Sequence, residues 1–482
     1  MTGKSITVYK KDLIFFIVFI ALFVLSIAKH VDTMFTLCFT SYCAILFLAF
    51  RQYKKNIVFC SFLITIFAFL FGSPVATLLL GSKYDVHFSD DAKHHLYFTL
   101  FLSVIFVGIG YMLFSKVKFS HDFNETSDSM RLALRKTSKI FFYITYALKV
   151  IQYMEIGYYV IKYGYMFFYT EYKSAIPLII EKISDLYIVA LSIFLATNPS
   201  RKEYRPVMTA FLIGGVFSVI TGKRYEFVYV IMLYFIYMIL RSWQINDNQQ
   251  EETWFSNKKF ALIIIGIPLM ITFLMFVGAI RSKSDFEFSS LKDIILDFMV
   301  DIGNSGKVIM RGFQYKSVIP EGRFYSFGSI IEYLKYNYFS KKILGVNVPN
   351  PRTYEYVTSG HSFAYVITYY FSADSFYSGH GQGSSYIAEL FADFGYFGVA
   401  FGSFILGAFI SQVFKFSGKS VVHDSFLYFL IRPLLFCPRD TFCLPLSYFI
   451  NVKYLLAFAI IFTIAKQLNR TNDSLSIEGG YS

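Results

Sequence analysis

Apolar stretches about as long as a membrane-crossing helix recur along this chain, and nothing else in the sequence constrains its fold as tightly. About 20 apolar residues cover roughly 30 Å of hydrocarbon at about 1.5 Å per residue. Marked by that length and by charged interruptions, twelve spans are expected, at 12–29, 34–50, 57–79, 95–115, 139–161, 176–197, 206–222, 225–241, 259–280, 388–414, 424–441 and 446–465. The chain is 55% hydrophobic and 20% aromatic, more apolar surface than a soluble domain buries, so an all-α integral membrane protein is expected. Segment 12–29 follows Lys4, Lys10 and Lys11 without a small-residue cleavage site and reads as a retained helix.

A net charge of +13 would suggest nucleic acid in a soluble protein. Here the basic residues alternate with the loops. With the N-terminus inside, 22 Lys and Arg fall in cytoplasmic loops and 8 in the short outer loops, the asymmetry that sets membrane orientation. Both termini are then cytoplasmic. No fixed-period repeat is found.

One connection breaks the short-loop pattern. Residues 281–387, 107 in all, separate the ninth and tenth spans on the outer side, and loops of that length are rare unless they fold and function. The expected layout is a bundle over 1–280, an outer loop domain over 281–387, three further spans over 388–465 and a cytoplasmic tail over 466–482. Within the loop, SSLKDIILDFMVDI and FGSIIEYLKYNYF read as amphipathic helices and GVNVPNPRTY as a turn. HSFAYVITYYF is too short to span and suits an interfacial or re-entrant helix.

Charges on the outer side are the candidates for chemistry. Gly222-Lys223-Arg224 is a tight basic turn where the charge rule predicts few cations; its side chains either snorkel to headgroups or bind an anionic substrate. Arg281, Arg311, Arg323 and Arg352 lie at or within the large loop. The planar guanidinium fork suits phosphate. Lys149, Glu181, Asp185 and Arg432 fall inside expected spans, either as ion pairs or as groups of a proton-coupled transporter. HFSDDAKHH offers metal-ligand residue types, but its spacing matches no defined site. Cys38, Cys43 and Cys60 read as packing residues, while Cys437 and Cys443 lie near an outer end where a bridge is conceivable.

SGHGQGSSYIAE, residues 378–389, is polar and rich in glycine. It lacks the lysine and the preceding strand of a nucleotide-binding loop. It reads instead as a flexible turn that opens onto a helix near Ser384, with backbone N–H groups free at the helix start, where anions are attracted. His361 and His380 stand close to expected helix starts, and a neutral imidazole there is a candidate base for a sugar hydroxyl.

The twelve-span plan, the large loop before the last helices, Gly222-Lys223-Arg224 and GQGSSYIAELFADFGYFGV together resemble bacterial O-antigen polymerases of the Wzy type. The sequence likeness lies in residues 222–226 and 379–402, and the topological likeness spans nearly the whole chain. The resemblance implies a metal-independent, cofactor-free membrane glycosyltransferase of GT-C-like plan in the bacterial inner membrane. Such an enzyme transfers a growing glycan from undecaprenyl diphosphate to the next lipid-linked repeat on the periplasmic face. It implies lipid-linked oligosaccharide, membrane lipids and a chain-length regulator protein as partners, and no nucleic acid. Arg224 carries over by motif, with Lys223 beside it; Arg281, Arg311, Arg323 and Arg352 follow by location, and His361, His380 or Glu389 is the base. The alternatives are an O-antigen ligase, which shares the plan and the donor, and a lipid-linked oligosaccharide flippase or other transporter, for which two similar halves are expected.

Overall fold

The computed structural model describes residues 24, 32–78, 88–117, 126–165, 171–222, 224–246, 254–255, 257–282, 290–415, 418 and 420–478. Helix is the only regular structure among them apart from turns. The bundle begins with α1 (Thr33–Phe50), α2 (Ile57–Leu78) and α3 (Asp90–Lys116). It continues with α4 (Asp128–Tyr163), α5 (Leu178–Ser184), α6 (Tyr187–Ala196), α7 (Arg201–Ile220), α8 (Arg224–Asn246) and α9 (Asn257–Ser282). The long connection expected to form the outer loop carries α10 (Leu291–Ile302), α11 (Ser305–Gln314), α12 (Gly328–Lys335), α13 (Tyr338–Lys342), α14 (Tyr354–Ser359), α15 (Phe363–Phe371) and α16 (Ala373–Tyr377). Helices α17 (Tyr386–Lys415), α18 (Val421–Phe436), α19 (Leu444–Phe449) and α20 (Val452–Glu478) complete the chain.

Among the described residues seven helices are long and apolar enough to cross a membrane: α1, α2, α3, α8, α17, α18 and α20. They overlap seven of the twelve expected spans, although the one at 446–465 covers most of α19 before α20 begins at Val452. The expected span at 12–29 lies outside the described residues except for Val24. Those at 139–161, 206–222 and 259–280 fall within α4, α7 and α9, which lie outside that set of seven; the apolar core of α9 is Ile265–Gly278. The stretch 176–197 is not one helix but two, α5 and α6, broken at Asp185. The carboxylate at the break accepts from Lys149 Nζ and Lys453 Nζ, both at 2.9 Å. One acid thus bridges two cations, from α4 and α20, and the backbone across the break is bonded by Leu186 N to the Ile183 carbonyl.

The helix starts follow local chemistry. Asp32 caps α1 through Phe35 N at 2.9 Å. Ser89 caps α3, with Asp90 and Asp91 in its first turn, where the helix dipole favours negative charge. Ser200 and Glu203 form a reciprocal capping box on α7, and Glu203 also pairs with Arg135 of α4 at 2.9 Å. Within α2 the residues Phe67–Phe71 form a π-helical segment, a rare geometry found often at functional sites.

The strongest helix pairing joins α3 to α17. Gly110 and Gly407 face the partner backbone so closely that a Cβ on Gly407 would run into the carbonyl oxygen of Val107, and one on Gly110 into that of Phe404. Ser103 and Ser403 hydrogen-bond across the same seam at 3.1 Å. Small residues serve this purpose in lipid, where close backbone approach and dispersion replace the hydrophobic effect. Helix α17 itself is broken: Gly395 adopts φ 63° and ψ −155°, so residues 386–394 form a short helix ahead of the membrane portion. The expected span at 388–414 thus contains a kink near its N-terminal end.

Replacing Gly407 by Val should lower the thermal stability of the detergent-solubilised protein by about 1–3 kcal/mol through overpacking. Gly266→Ala is the matched control, because a Cβ there meets nothing within 4 Å. It should be neutral or stabilising by about 0.5–1 kcal/mol in the same melt.

Candidate functional site

The turn between α7 and α8 places its arginine against local preference. Gly222 takes φ 86° and Arg224 is the first residue of α8, the helix end whose partial positive charge disfavours a cation. Tertiary contacts hold it there. Arg224 donates to Asp301 Oδ2 of α10 at 3.2 Å, and its guanidinium lies where a side chain on Gly278 of α9 would stand. The two partners expose 22% and 52% of their side chains, so the pair stabilises the fold by no more than about 1 kcal/mol. Asp301 lies in the last turn of α10, again the end that disfavours its charge.

A second wall comes from the glycine-rich segment ahead of α17. Gly379 and Gly383 take φ 92° and 78°, the left-handed region open to glycine without penalty. Between them the Gln382 N–H donates to Thr368 Oγ1 of α15 at 2.9 Å. The Gln382 carbonyl oxygen Oε1 accepts from Arg311 of α11, whose guanidinium stacks 3.8 Å from the Phe371 ring centroid. Arg352 donates to the Gly379 carbonyl at 3.2 Å and has φ 64° itself. A non-glycine residue in that region is strained by about 1 kcal/mol or more, and such strain gathers at functional sites.

These segments enclose a cavity of about 700 Å³, within the range of small-molecule sites. Three arginines, Arg224, Arg352 and Arg439, are among the described residues that line it, together with His380 and one acidic residue, Asp301. Arg439 follows α18 and lies 5.2 Å from the ring of Phe69, which belongs to the π segment of α2. Tyr225, Phe298, Tyr365 and Phe436 supply aromatic faces. Apart from the long loop between α9 and α17, the lining comes from Phe69 in the π segment of α2, the C-terminal ends of α4, α7, α9 and α18 and the N-terminal end of α8. Behind the wall, the buried Lys307 of α11 has its pKa lowered by burial first and then by Arg311, with Asp301 acting in the opposite sense.

The structure therefore brings together Arg224, Arg352 and His380 with the glycine-rich turn. Arg311 reaches the cavity only through Gln382. Arg323 and His361 engage each other instead: the His361 Nδ1–H donates to the Arg323 carbonyl, and Arg323 donates to the Thr358 carbonyl. The His361 backbone N–H is held by Glu332 Oε1 at 2.9 Å. Glu389 is 2% exposed and accepts from Ser384 Oγ at 2.7 Å and from the Phe442 N–H at 3.0 Å. Its carboxylate is a staple beneath the glycine-rich turn, away from the cavity wall. Lys223 and the side chain of Arg281 lie outside the described residues. Sequence reading passed over Asp301 and Arg439, each visible only as a charge at an outer helix end.

Of the charges expected inside spans, Lys149, Asp185 and Arg432 form ion pairs, while Glu181 lies on α5 with no ion pair shown among the described residues. Arg432 donates to Glu226 and, at 3.1 Å, to Tyr448 Oη. All five cysteines are free, including Cys437 and Cys443. In the HFSDDAKHH segment His87 lies outside the described residues, and His95 Nδ1 is 3.0 Å from Tyr396 Oη. No group of three or more potential metal ligands occurs among the described residues.

The family model for the O-antigen polysaccharide polymerase Wzy matches residues 12–472. No curated protein and no solved structure matches the chain significantly. The match takes in every helix that builds the cavity, and this multi-helix membrane chain belongs to the Wzy family of O-antigen polysaccharide polymerases.

Proposed function

We propose that the chain lengthens O-antigen by transferring the growing glycan from undecaprenyl diphosphate to a hydroxyl of the next lipid-linked repeat, on the periplasmic face of the inner membrane and within the Arg224 cavity. The observation that carries this reading is the meeting of three guanidinium groups, from Arg224, Arg352 and Arg439, around one cavity. The outer-loop assignment of the turn at 222–224 and of Arg439 rests on the charge asymmetry of the loops.

Chemistry explains why such a cavity serves this reaction. As the bond between the anomeric carbon and the diphosphate oxygen breaks, negative charge grows on the leaving diphosphate. Preorganised guanidinium groups stabilise that charge more in the transition state than in the ground state. Arg224 and Arg352 are held in positions that local structure disfavours, one by its helix end and one by its backbone angle. Local conflict of this kind is expected where function outweighs stability. The aromatic faces of Tyr225, Phe298 and Tyr365 supply apolar surface for sugar rings and the first prenyl units. His380 presents an imidazole able to hydrogen-bond a sugar hydroxyl.

Deletion of the gene in its host should leave lipopolysaccharide with core plus a single repeat. Core alone would point to a ligase or flippase, and a normal ladder would overturn the reading. Arg224→Ala should cut elongation by about 100-fold or more at unchanged protein level, with Arg224→Lys restoring only part, because a point charge lacks the two-pronged contact. Arg439→Ala should behave like Arg224→Ala, read from the same ladder. Arg352→Gly separates strain from function. It should hold or raise thermal stability by about 1 kcal/mol as the left-handed residue is relieved, yet shorten the ladder.

A further inference from the structure

Asp301 stands out because a carboxylate in a cavity lined by arginines opposes the capture of an anionic substrate. It is the one carboxylate among the described residues that line the cavity. Helix stability does not explain it, since it lies at the C-terminal end of α10, where the helix dipole disfavours negative charge. Nor does its pairing with Arg224 secure the fold, because half of its side chain remains exposed within the cavity. What the position does offer is a base on the cavity wall, adjoining the guanidinium that the donor diphosphate would occupy.

Resting on the function proposed above, we propose that Asp301 is a catalytic residue, the general base that takes the proton from the acceptor hydroxyl. Asp301 and Arg224 pair with each other at 3.2 Å. A diphosphate carries more negative charge than one carboxylate and displaces it from the guanidinium. The freed carboxylate then faces the acceptor sugar. The acceptor oxygen forms its bond to the anomeric carbon while the bond from that carbon to the diphosphate oxygen breaks. The electron pair of the broken bond stays on the diphosphate, beside the arginines, and the acceptor proton passes to a carboxylate oxygen of Asp301. Water in the open cavity carries the proton away before the next cycle. His380 keeps the role of a hydrogen-bonding group toward the sugars.

The test compares Asp301→Asn and Asp301→Glu in the full-length protein. Elongation is read from the lipopolysaccharide ladder at matched protein level, and binding from the affinity of the purified protein for undecaprenyl diphosphate. Loss of a general base predicts that Asp301→Asn elongates about 100-fold or more slowly. It should bind the diphosphate as well as the unmodified protein or more tightly, since a like charge has gone. Asp301→Glu should restore part of the elongation. Elongation within threefold of normal in Asp301→Asn would overturn the proposal and leave Asp301 a counter-ion only. Loss of diphosphate binding along with elongation in Asp301→Asn would also overturn it, marking the residue as support for Arg224. If the unmodified protein bound no undecaprenyl diphosphate, the proposed function would fail instead, which separates the two conclusions.

Discussion

The geometry of the cavity depends on one buried acid side chain. Glu389 sits in the short helix ahead of the Gly395 kink and accepts hydrogen bonds from Ser384 and from the Phe442 backbone. The first contact fixes the end of the glycine-rich turn that carries His380. The second fixes the loop that follows Arg439. One helical turn further on, Asp393 accepts from the N–H groups of Tyr325 and Ser326 at 2.8 and 2.7 Å and so fastens the outer loop to the same half-helix. Buried acceptors satisfied by backbone donors are rigid and costly to disturb. A membrane helix broken at its outer end thus becomes the anchor for two walls of a cavity assembled from segments far apart in the chain.

The charges of the cavity are arranged against local preference. Arg224 opens a helix, Asp301 ends one, and Arg352 occupies a backbone region that suits glycine. Each would be more comfortable elsewhere, and each is retained by partners from other segments. The ion pairs deeper in the bundle differ. Arg432 pairs with Glu226, and Asp185 with its two lysines, so that each joins separate helices. The same residue types therefore serve two ends, bridging helices in one place and lining a cavity in another.

Local patterns translated well into local structure. HSFAYVITYYF forms α15 over Phe363–Phe371, and SSLKDIILDFMVDI forms α10 with Ser290 as its cap. The apolar stretches became helices because length, hydrophobicity and capping act within a few residues of one another. The interruption at Asp185 was legible as a charge inside an apolar run, but its outcome, two short helices tied to Lys149 and Lys453, depended on cations supplied by other helices. Glu389 shows the same limit. An acid beside a glycine-rich turn reads as a candidate base, and only its donors from Ser384 and Phe442 reveal a staple.

By itself the sequence determined an all-helical membrane chain with a long loop before its last helices, a basic turn at 222–224 and a glycine-rich turn before α17, because apolar length and turn chemistry are local or additive properties. Only the tertiary structure decided which charges meet. It sorted the arginines into three on the cavity wall, one behind Gln382 and one held by the Thr358 carbonyl, and it brought Asp301 beside Arg224. That sorting rests on packing between segments distant in the chain, where close glycine contacts and buried hydrogen bonds fix positions that no short stretch of residues encodes.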